Sequence, residues 1–365
     1  MSISLNRRGI RLSIVIGSRV ICIVYVDDLL FWSPKEEYIY EFGECLRAEE
    51  VELEEEGDAA GFLGVQLHRD EATGHIHMTQ EGLIKRIIEA LGLDMVQTNA
   101  KGTPAERKPL VKDDNGEPPQ ETFNYASVIG MLLYLSGHTR PDLAYSVSQV
   151  ARFMFNPKHS HEIAIKRIGR YLIGTKDKGM IIKPTTTIGI DAYPDADFAG
   201  LYGYEDNNDP VCVRSRTGYV ITVAGCPIFW SSKLQTETAT STMEAEIIAL
   251  GSCCRELLPI IALVDEIGVA VGIKKPSDSD FDSSTMHITI HEDNSGALIL
   301  ATTPPPQFTP RSKHYAIKTI WFREKIIEKK IKVVPIETRL QLGDIFTKMP
   351  PQVTFEFLRN LLQGW

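Results

Sequence analysis

Residues 193–200, YPDADFAG, join an apolar run to a turn. From Ile188 to Ala192, apolar residues alternate with small or polar ones, which is the period-two pattern of a β-strand. Pro194 restricts how that strand can continue, because its ring fixes one backbone angle and constrains the preceding residue. The sequence therefore predicts that Asp195 lies at the end of a strand.

Three further acidic residues lie in comparable settings. Glu244 opens a long helical pattern, Asp293 follows the apolar run 287–290, and Asp344 lies in a second helical pattern. Taken alone, each is more often a helix cap or a solvated residue. Together, four carboxylates from separate segments can bind Mg²⁺, and two such ions about 4 Å apart can act on both oxygens exchanged at a phosphodiester.

The sequence motifs around these residues resemble those of a known protein family. The region from about residue 186 to the C-terminus resembles the ribonuclease H domain of copia-type LTR retrotransposon polyproteins. The motifs, in order, are YPDADFAG, SRTGYVITVAGCPIFWSSKLQ, STMEAEIIAL, EDNSGAL, RSKHYAIK and QLGDIFTK. Phe198 and Met243 depart from the family wording, where tryptophan and threonine are usual.

The resemblance implies roles for the four carboxylates. Asp195 is similar to the first-strand catalytic aspartate, Glu244 to the helix glutamate, Asp293 to the aspartate before the DNSGA-like residues and Asp344 to the late aspartate. The implied reaction is two-metal hydrolysis of the RNA strand of an RNA/DNA hybrid, with Mg²⁺ or Mn²⁺ as cofactor. Recognition would use 2′-hydroxyls and duplex shape rather than bases.

Residues 25–32, YVDDLLFW, place an acidic pair between two strand-like runs, a pattern that predicts a hairpin. An ordinary turn is the simpler reading of this pattern. The stretch also resembles the palm motif of reverse transcriptases, in which Asp27 and Asp28 would lie beside the polymerase metals. Only 26 residues precede Asp27, and none resembles the upstream palm aspartate. We therefore expect no independent DNA synthesis by this chain.

The middle of the chain has helical periodicity. Residues 80–93 predict an amphipathic helix, residues 101–120 are rich in Pro, Gly and charge and predict a linker, and residues 125–173 predict several helices separated by prolines. Between residues 125 and 175, the motifs YASVIGMLLYL, TRPDLAYSVS, ARFMFNPKHSH and RIGRYLIGT resemble the connection region of copia-type polymerases. The resemblance thus extends over nearly the whole chain after the first twenty residues.

These patterns predict an α/β protein whose N-terminal part is α+β. We expect a partial reverse transcriptase palm over residues 1–80, thumb and connection-like helices over 81–185, and a ribonuclease H-like domain over 186–365. The last is predicted to hold a mixed five-stranded sheet with helices on its faces.

Composition restricts the partners. The formal charge of −9 gives no overall attraction to nucleic acid, so binding must use local basic surfaces. One such segment contains Arg311, Lys313, His314 and Lys318, which are candidate contacts to the hybrid; an exposed helix explains it equally well. The apolar stretch 10–26 is broken by arginines, so we expect no membrane span there. The resemblance implies other Pol segments as partners and a cytoplasmic particle or the nucleus as location.

Two other functions stay open on sequence alone. The first is a catalytically silent remnant that binds nucleic acid without turnover, although a decaying site would be expected to lose a carboxylate. The second is an RNA-directed DNA polymerase, which would require an upstream palm segment.

Overall fold

The computed structural model describes most of the chain, in two compact units. The smaller unit is Met1–Leu63 with Leu258–Asp282, and the larger is Gly64–Leu257 with Ser283–Trp365. The described residues are 11–15, 20–25, 28–54, 61–94, 99–270, 286–303 and 313–365.

The smaller unit contains an antiparallel three-stranded sheet. Its strands, in spatial order, are β1 (Arg11–Val15), β2 (Val20–Tyr25) and β3 (Asp28–Trp32). Helix α1 (Glu36–Ala48) and the short strand β4 (Gly61–Phe62) follow. Strands β2 and β3 pair with Tyr25 opposite Asp28, as a hairpin requires. Asp28 is exposed, and Asp27 lies outside the described residues.

The larger unit begins with a small antiparallel sheet and four helices. Strand β5 (Val65–Arg69) pairs with β6 (Ile76–Thr79), which also pairs with the distant β7 (Met180–Ile182). The helices are α2 (Glu81–Ala90), α3 (Tyr125–His138), α4 (Ala144–Ala151) and α5 (His159–Ile173). Residues 101–120 form neither helix nor strand.

A five-stranded mixed sheet positions the candidate site. Its strands are β8 (Gly189–Asp197), β9 (Arg216–Val223), β10 (Cys226–Leu234), β11 (His287–Glu292) and β12 (Lys332–Pro335). They lie in the order β10-β9-β8-β11-β12, with the first three antiparallel and the last three parallel. This arrangement confirms the predicted mixed sheet.

Five helices accompany this sheet. They are α6 (Thr242–Ala270), α7 (Ser295–Thr302), α8 (Lys313–Glu328), α9 (Asp344–Thr347) and α10 (Gln352–Gln363). Helix α6 is long and apolar enough to cross a bilayer by length and composition, a criterion that the core helix of a water-soluble domain also meets. Its first half belongs to the larger unit and buries Leu250, Cys253 and Leu257, which accounts for the apolar composition of that half.

A single hydrophobic cluster joins the helical segment to the end of the chain. Ile84, Ile129 and Ile168 from α2, α3 and α5 belong to the same buried cluster as Phe346 and Phe355 from α9 and α10. The proposed domain boundaries near residues 80 and 185 stay predictions. The hydrophobic cluster contains residues from both sides of position 185.

Candidate metal centre

Two aspartates meet because their strands are adjacent and parallel. Ala192 of β8 pairs with Ile290 of β11, so Asp195 and Asp293, each three residues further on, reach the same level of the sheet. Asp195 is almost fully buried and Asp293 partly so. A shared level on neighbouring strands is what allows two carboxylates to contact one ion.

A glutamate from α6 completes a compact cluster. Oxygens of Asp195, Glu246 and Asp293 all lie within 4.8 Å of one another. Glu246 is buried, and its Oε2 makes no hydrogen bond. A buried carboxylate oxygen with no donor is costly unless a proton or a cation compensates it.

The cluster contains Glu246 where the sequence reading placed Glu244. The Glu244 carboxylate instead accepts hydrogen bonds from the backbone N–H (2.8 Å) and the hydroxyl (2.9 Å) of Thr240, at the start of α6. Residues two apart on an α-helix lie about 200° apart around its axis, so Glu244 and Glu246 cannot both face the sheet edge.

Asp344 lies next to the cluster, at the start of α9. Its Oδ1 is 2.7 Å from Nζ of Lys348, the residue that follows the helix. Between them, Thr347 donates its hydroxyl to Oδ2 of Asp195. Helix α9 and the lysine that follows it therefore contribute a carboxylate, a hydroxyl and an ammonium group to the same corner of the molecule.

A buried glutamine that the sequence reading did not single out fixes this corner. Nε2 of Gln341 donates to the carbonyl oxygens of Pro194 (3.0 Å) and His291 (3.2 Å), one on each central strand. Its Oε1 accepts from the N–H of Gly343 at 3.1 Å. Gln341 thus connects β8, β11 and the start of α9. Its position inside QLGDIFTK was the available signal.

Gly343 is required by the closeness of α9 to β8. A Cβ at this position would lie 2.7 Å from Cβ of Asp195 and 2.8 Å from the carbonyl oxygen of Tyr193. Any side chain here would push the aspartate or the helix out of place, so the glycine belongs to the architecture of the site.

The cluster is strongly acidic in its electrostatics. Burial raises the pKa of Asp195, and the neighbouring charge of Asp344 raises it further, while Lys348 opposes the shift. Burial and the charges of Asp195 and Glu292 likewise raise the pKa of Glu246. Glu292 itself, on β11, has its pKa raised to about 8, chiefly by burial. Such shifts arise when carboxylates are brought together without enough positive charge.

The donor set fits a hard divalent cation. Mg²⁺ and Mn²⁺ prefer carboxylate oxygens, and the three cluster residues each offer one within reach of a common point. Buried Oε2 atoms of both Glu246 and Glu292 make no hydrogen bond, so a bound cation or a proton would offset the cost of burying them. The chain thus contains an acidic cluster that could bind a metal.

The predicted nucleic-acid contacts are only partly described. Arg311 lies outside the described residues, whereas Lys313, His314 and Lys318 lie in α8, where the description extends to the backbone alone. Further along α8, Arg323 is buried and Lys325 is 2.5 Å from Glu328. These contacts to the hybrid stay predictions.

Comparison with curated proteins shows which family the chain belongs to. It is 30% identical over 339 residues, 93% of its length, to the "Retrovirus-related Pol polyprotein from transposon RE2" of Arabidopsis thaliana. The RE1 polyprotein of the same plant gives the same identity and coverage. The chain belongs to the copia-type retrotransposon Pol family. The polyprotein from transposon TNT 1-94 of Nicotiana tabacum is also 30% identical, over 94% of the chain.

As a retrotransposon-derived polyprotein region, this copia-type chain corresponds to part of its relatives. It spans 21% of the RE2 and RE1 polyproteins and 24% of that from TNT 1-94. No family model matches it. The relatives support the retrotransposon origin that the motifs indicate, and they are consistent with other Pol segments as partners.

Proposed function

We propose that this chain contains a ribonuclease H that hydrolyses the RNA strand of an RNA/DNA hybrid. The observation that supports the proposal most directly is the convergence of Asp195, Glu246 and Asp293 from two strands and a helix, with oxygens within 4.8 Å. Membership of the copia-type Pol family makes a nucleic-acid substrate the natural choice for such a site.

The three cluster carboxylates would hold one Mg²⁺, and Asp344 would be a ligand for a second. Bound there, Mg²⁺ supplies positive charge that makes water a better nucleophile and offsets the charge developing on the phosphate. The chain's own groups prepare this site. Thr347 fixes the rotation of the Asp195 carboxylate, and Gln341 holds the carbonyl groups of β8 and β11 in register.

Substrate choice in this proposal depends on the 2′-hydroxyls of the RNA strand and on duplex geometry. The net charge of −9 makes long-range attraction weak, so contacts must come from local basic groups such as those of α8. Lys313, His314 and Lys318 are our candidates for that role, with Arg311 just before them.

The direct test is cleavage of a hybrid with labelled RNA by the purified chain in Mg²⁺. We expect RNA products with 5′-phosphate and 3′-hydroxyl ends, no cleavage of the DNA strand, and loss of activity in EDTA. Asp195→Asn and Asp293→Asn should each abolish cleavage. Asp177→Asn, which changes an exposed aspartate paired with Lys178, is the matched control and should cleave like wild type.

The same experiment separates this function from a silent remnant. Folded wild-type chain that binds the hybrid in Mg²⁺ but does not cut it would overturn the proposal and favour a nucleic-acid-binding role. Cleavage that persists unchanged in both aspartate variants would place the activity elsewhere or in a contaminant.

A further inference from the structure

Lys348 brings a positive charge into the carboxylate cluster. Its Nζ lies 2.7 Å from Oδ1 of Asp344, one helical turn earlier, and its charge also acts on Asp195 and Asp197. Burial disfavours the charged ammonium, but the surrounding carboxylates outweigh burial and raise the pKa of Lys348. The 2.7 Å ion pair with Asp344 holds this ammonium at the edge of the cluster.

The acidic groups around it are numerous. Asp195, Asp197, Glu246, Glu292 and Asp344 all have raised pKa values, and the charge of Asp293 contributes to the shifts of four of them: Asp195, Glu246, Glu292 and Asp344. Lys348 opposes the shift of Asp195, Asp197, Glu246 and Asp344. Its charge is thus shared across the cluster.

The cluster divides into two ends. Asp195, Glu246 and Asp293 offer oxygens to a common point, whereas Asp344, whose carboxyl group also contacts that of Asp195, is paired with the ammonium of Lys348. A second divalent cation bound by Asp344 would have to approach the same carboxylate that the ammonium of Lys348 contacts. Two cations at one carboxylate repel each other, so the two occupancies compete.

We propose that Lys348 is a positioning residue that occupies the second cation position. In the free chain, one divalent ion binds through Asp195, Glu246 and Asp293 while Lys348 holds Asp344. The side chain of Lys348 is 46% exposed, which leaves its ammonium a path away from Asp344. An incoming phosphate group offers the ammonium of Lys348 a new anionic partner. When the ammonium moves to the phosphate, Asp344 becomes free to ligate a second ion.

This inference deepens the proposed hydrolase, and its first test needs no catalysis. Mn²⁺ is titrated into the whole chain without nucleic acid, and binding is followed by calorimetry. We expect wild type to bind one ion. Lys348→Met should bind a second ion, or bind the first roughly tenfold more tightly, because the competing positive charge is gone.

Two control variants isolate the charge from the side chain. Lys348→Arg keeps the positive charge and should titrate like wild type. Lys85→Met removes a lysine with the same spacing from its carboxylate partner, Glu89, at 3.8 Å on the surface of α2, and should change nothing. Thermal unfolding of each variant shows whether it is folded before titration.

A second variant approaches the same question from the carboxylate. Asp344→Asn should still bind one Mn²⁺ ion with near wild-type affinity, because Asp344 does not ligate the first ion in this arrangement. The proposal is overturned if Asp344→Asn loses that ion, or if folded Lys348→Met binds Mn²⁺ with unchanged number and affinity. If Lys348→Met does not fold, Lys348→Gln, which also removes the positive charge, is titrated in its place with the same expected and contradicting results.

Hybrid cleavage then tests the catalytic consequence separately. Lys348→Met should reach half-maximal activity at a lower Mg²⁺ concentration than wild type, while Lys348→Arg should not. If no variant cleaves, the hydrolase proposal fails and the ion titration still decides the role of Lys348. A shifted ion stoichiometry together with an unshifted Mg²⁺ dependence would overturn the link between the second ion and turnover.

Discussion

Gly218 lies opposite Asp195 in the antiparallel pairing of β9 with β8, and α9 packs directly on its bare backbone. A Cβ at residue 218 would lie 2.6 Å from Cγ2 of Thr347 and 2.7 Å from Cβ of Phe346. A strand residue without a side chain therefore lets α9 approach the sheet. That approach brings the Thr347 hydroxyl onto the Asp195 carboxylate.

Gly218→Ala should separate α9 from the sheet. The inserted methyl group has no space between two packed side chains, and overpacking of this kind costs about 1–3 kcal/mol of stability. We also expect weaker Mn²⁺ binding, because Thr347 would no longer orient Asp195. Urea unfolding and Mn²⁺ titration of the same preparation measure both effects.

A glycine in α6 provides the control for that substitution. A Cβ at Gly251 would have Phe322 as its nearest neighbour at 3.7 Å, an ordinary contact. Gly251→Ala should leave Mn²⁺ binding unchanged and gain up to about 1 kcal/mol from helix propensity. Equal losses in the two alanine variants would contradict the assigned role of Gly218.

The two glutamates at the start of α6 should behave differently. Glu246→Gln should weaken Mn²⁺ binding at least roughly tenfold, because it removes a charged ligand from the cluster. Glu244→Gln keeps an oxygen that can accept from Thr240 and should bind Mn²⁺ like wild type. The reverse pattern in calorimetry would restore Glu244 as the ligand.

The choice between these glutamates shows where sequence reasoning stops. The local motif identifies an acidic helix start but not the rotation of the helix. The signal was nevertheless present, because Leu250, Cys253 and Leu257 are buried on the same side of the helix as Glu246, at spacings of four, seven and eleven. Extending this helical spacing of buried residues towards the start of α6 therefore selects Glu246 rather than Glu244.

Other features were predictable to different degrees. The strand carrying Asp195 follows from its alternating pattern, and the mixed sheet follows from the order of strands and helices. The pairing of β7 with β6 was not predictable, because it joins residues about 100 positions apart through only three residues of strand. The role of Gln341 was not predictable, because it depends on hydrogen bonds to two backbone carbonyl groups on strands that are distant in sequence.

Breaking the buried ion pair between α3 and α4 should destabilise the helices of residues 125–173. Arg140 and Asp142 are fully buried, with two hydrogen bonds of 2.9 Å between them, and Tyr171 donates to Asp142 at 2.6 Å. Asp142→Asn leaves the guanidinium without its countercharge, which should cost about 3–5 kcal/mol in urea unfolding.

An exposed pair is the comparison for that substitution. Arg339 and Glu337 are 2.6 Å apart, but both side chains are largely in solvent. Glu337→Gln should change stability by no more than about 1 kcal/mol, because water screens the pair. A similarly small loss in Asp142→Asn would show that the buried pair does not hold the segment together.

The stability of the metal-free chain should fall as pH rises through the cluster's titration. The pKa of Glu292 is raised from 4.5 to about 8 in the folded chain, and those of Asp195 and Glu246 are raised as well. A raised carboxyl pKa means that the folded state binds more protons than the unfolded state. The stabilising contribution of Glu292 is therefore complete below about pH 4 and is lost as pH rises to about 8, and that of Glu246, whose pKa is raised to about 10, is lost at higher pH.

Divalent ions should reverse this trend, because they bind the deprotonated carboxylates. We expect the melting temperature in Mg²⁺ to exceed that in EDTA by a margin that grows between about pH 5 and about pH 8. Subtracting the melting temperature in EDTA from that in Mg²⁺ cancels the effect of titrating groups remote from the cluster. Glu292→Gln removes one raised pKa and should flatten the EDTA profile in particular. A margin that is constant with pH in wild type would mean that Mg²⁺ does not bind at these carboxylates.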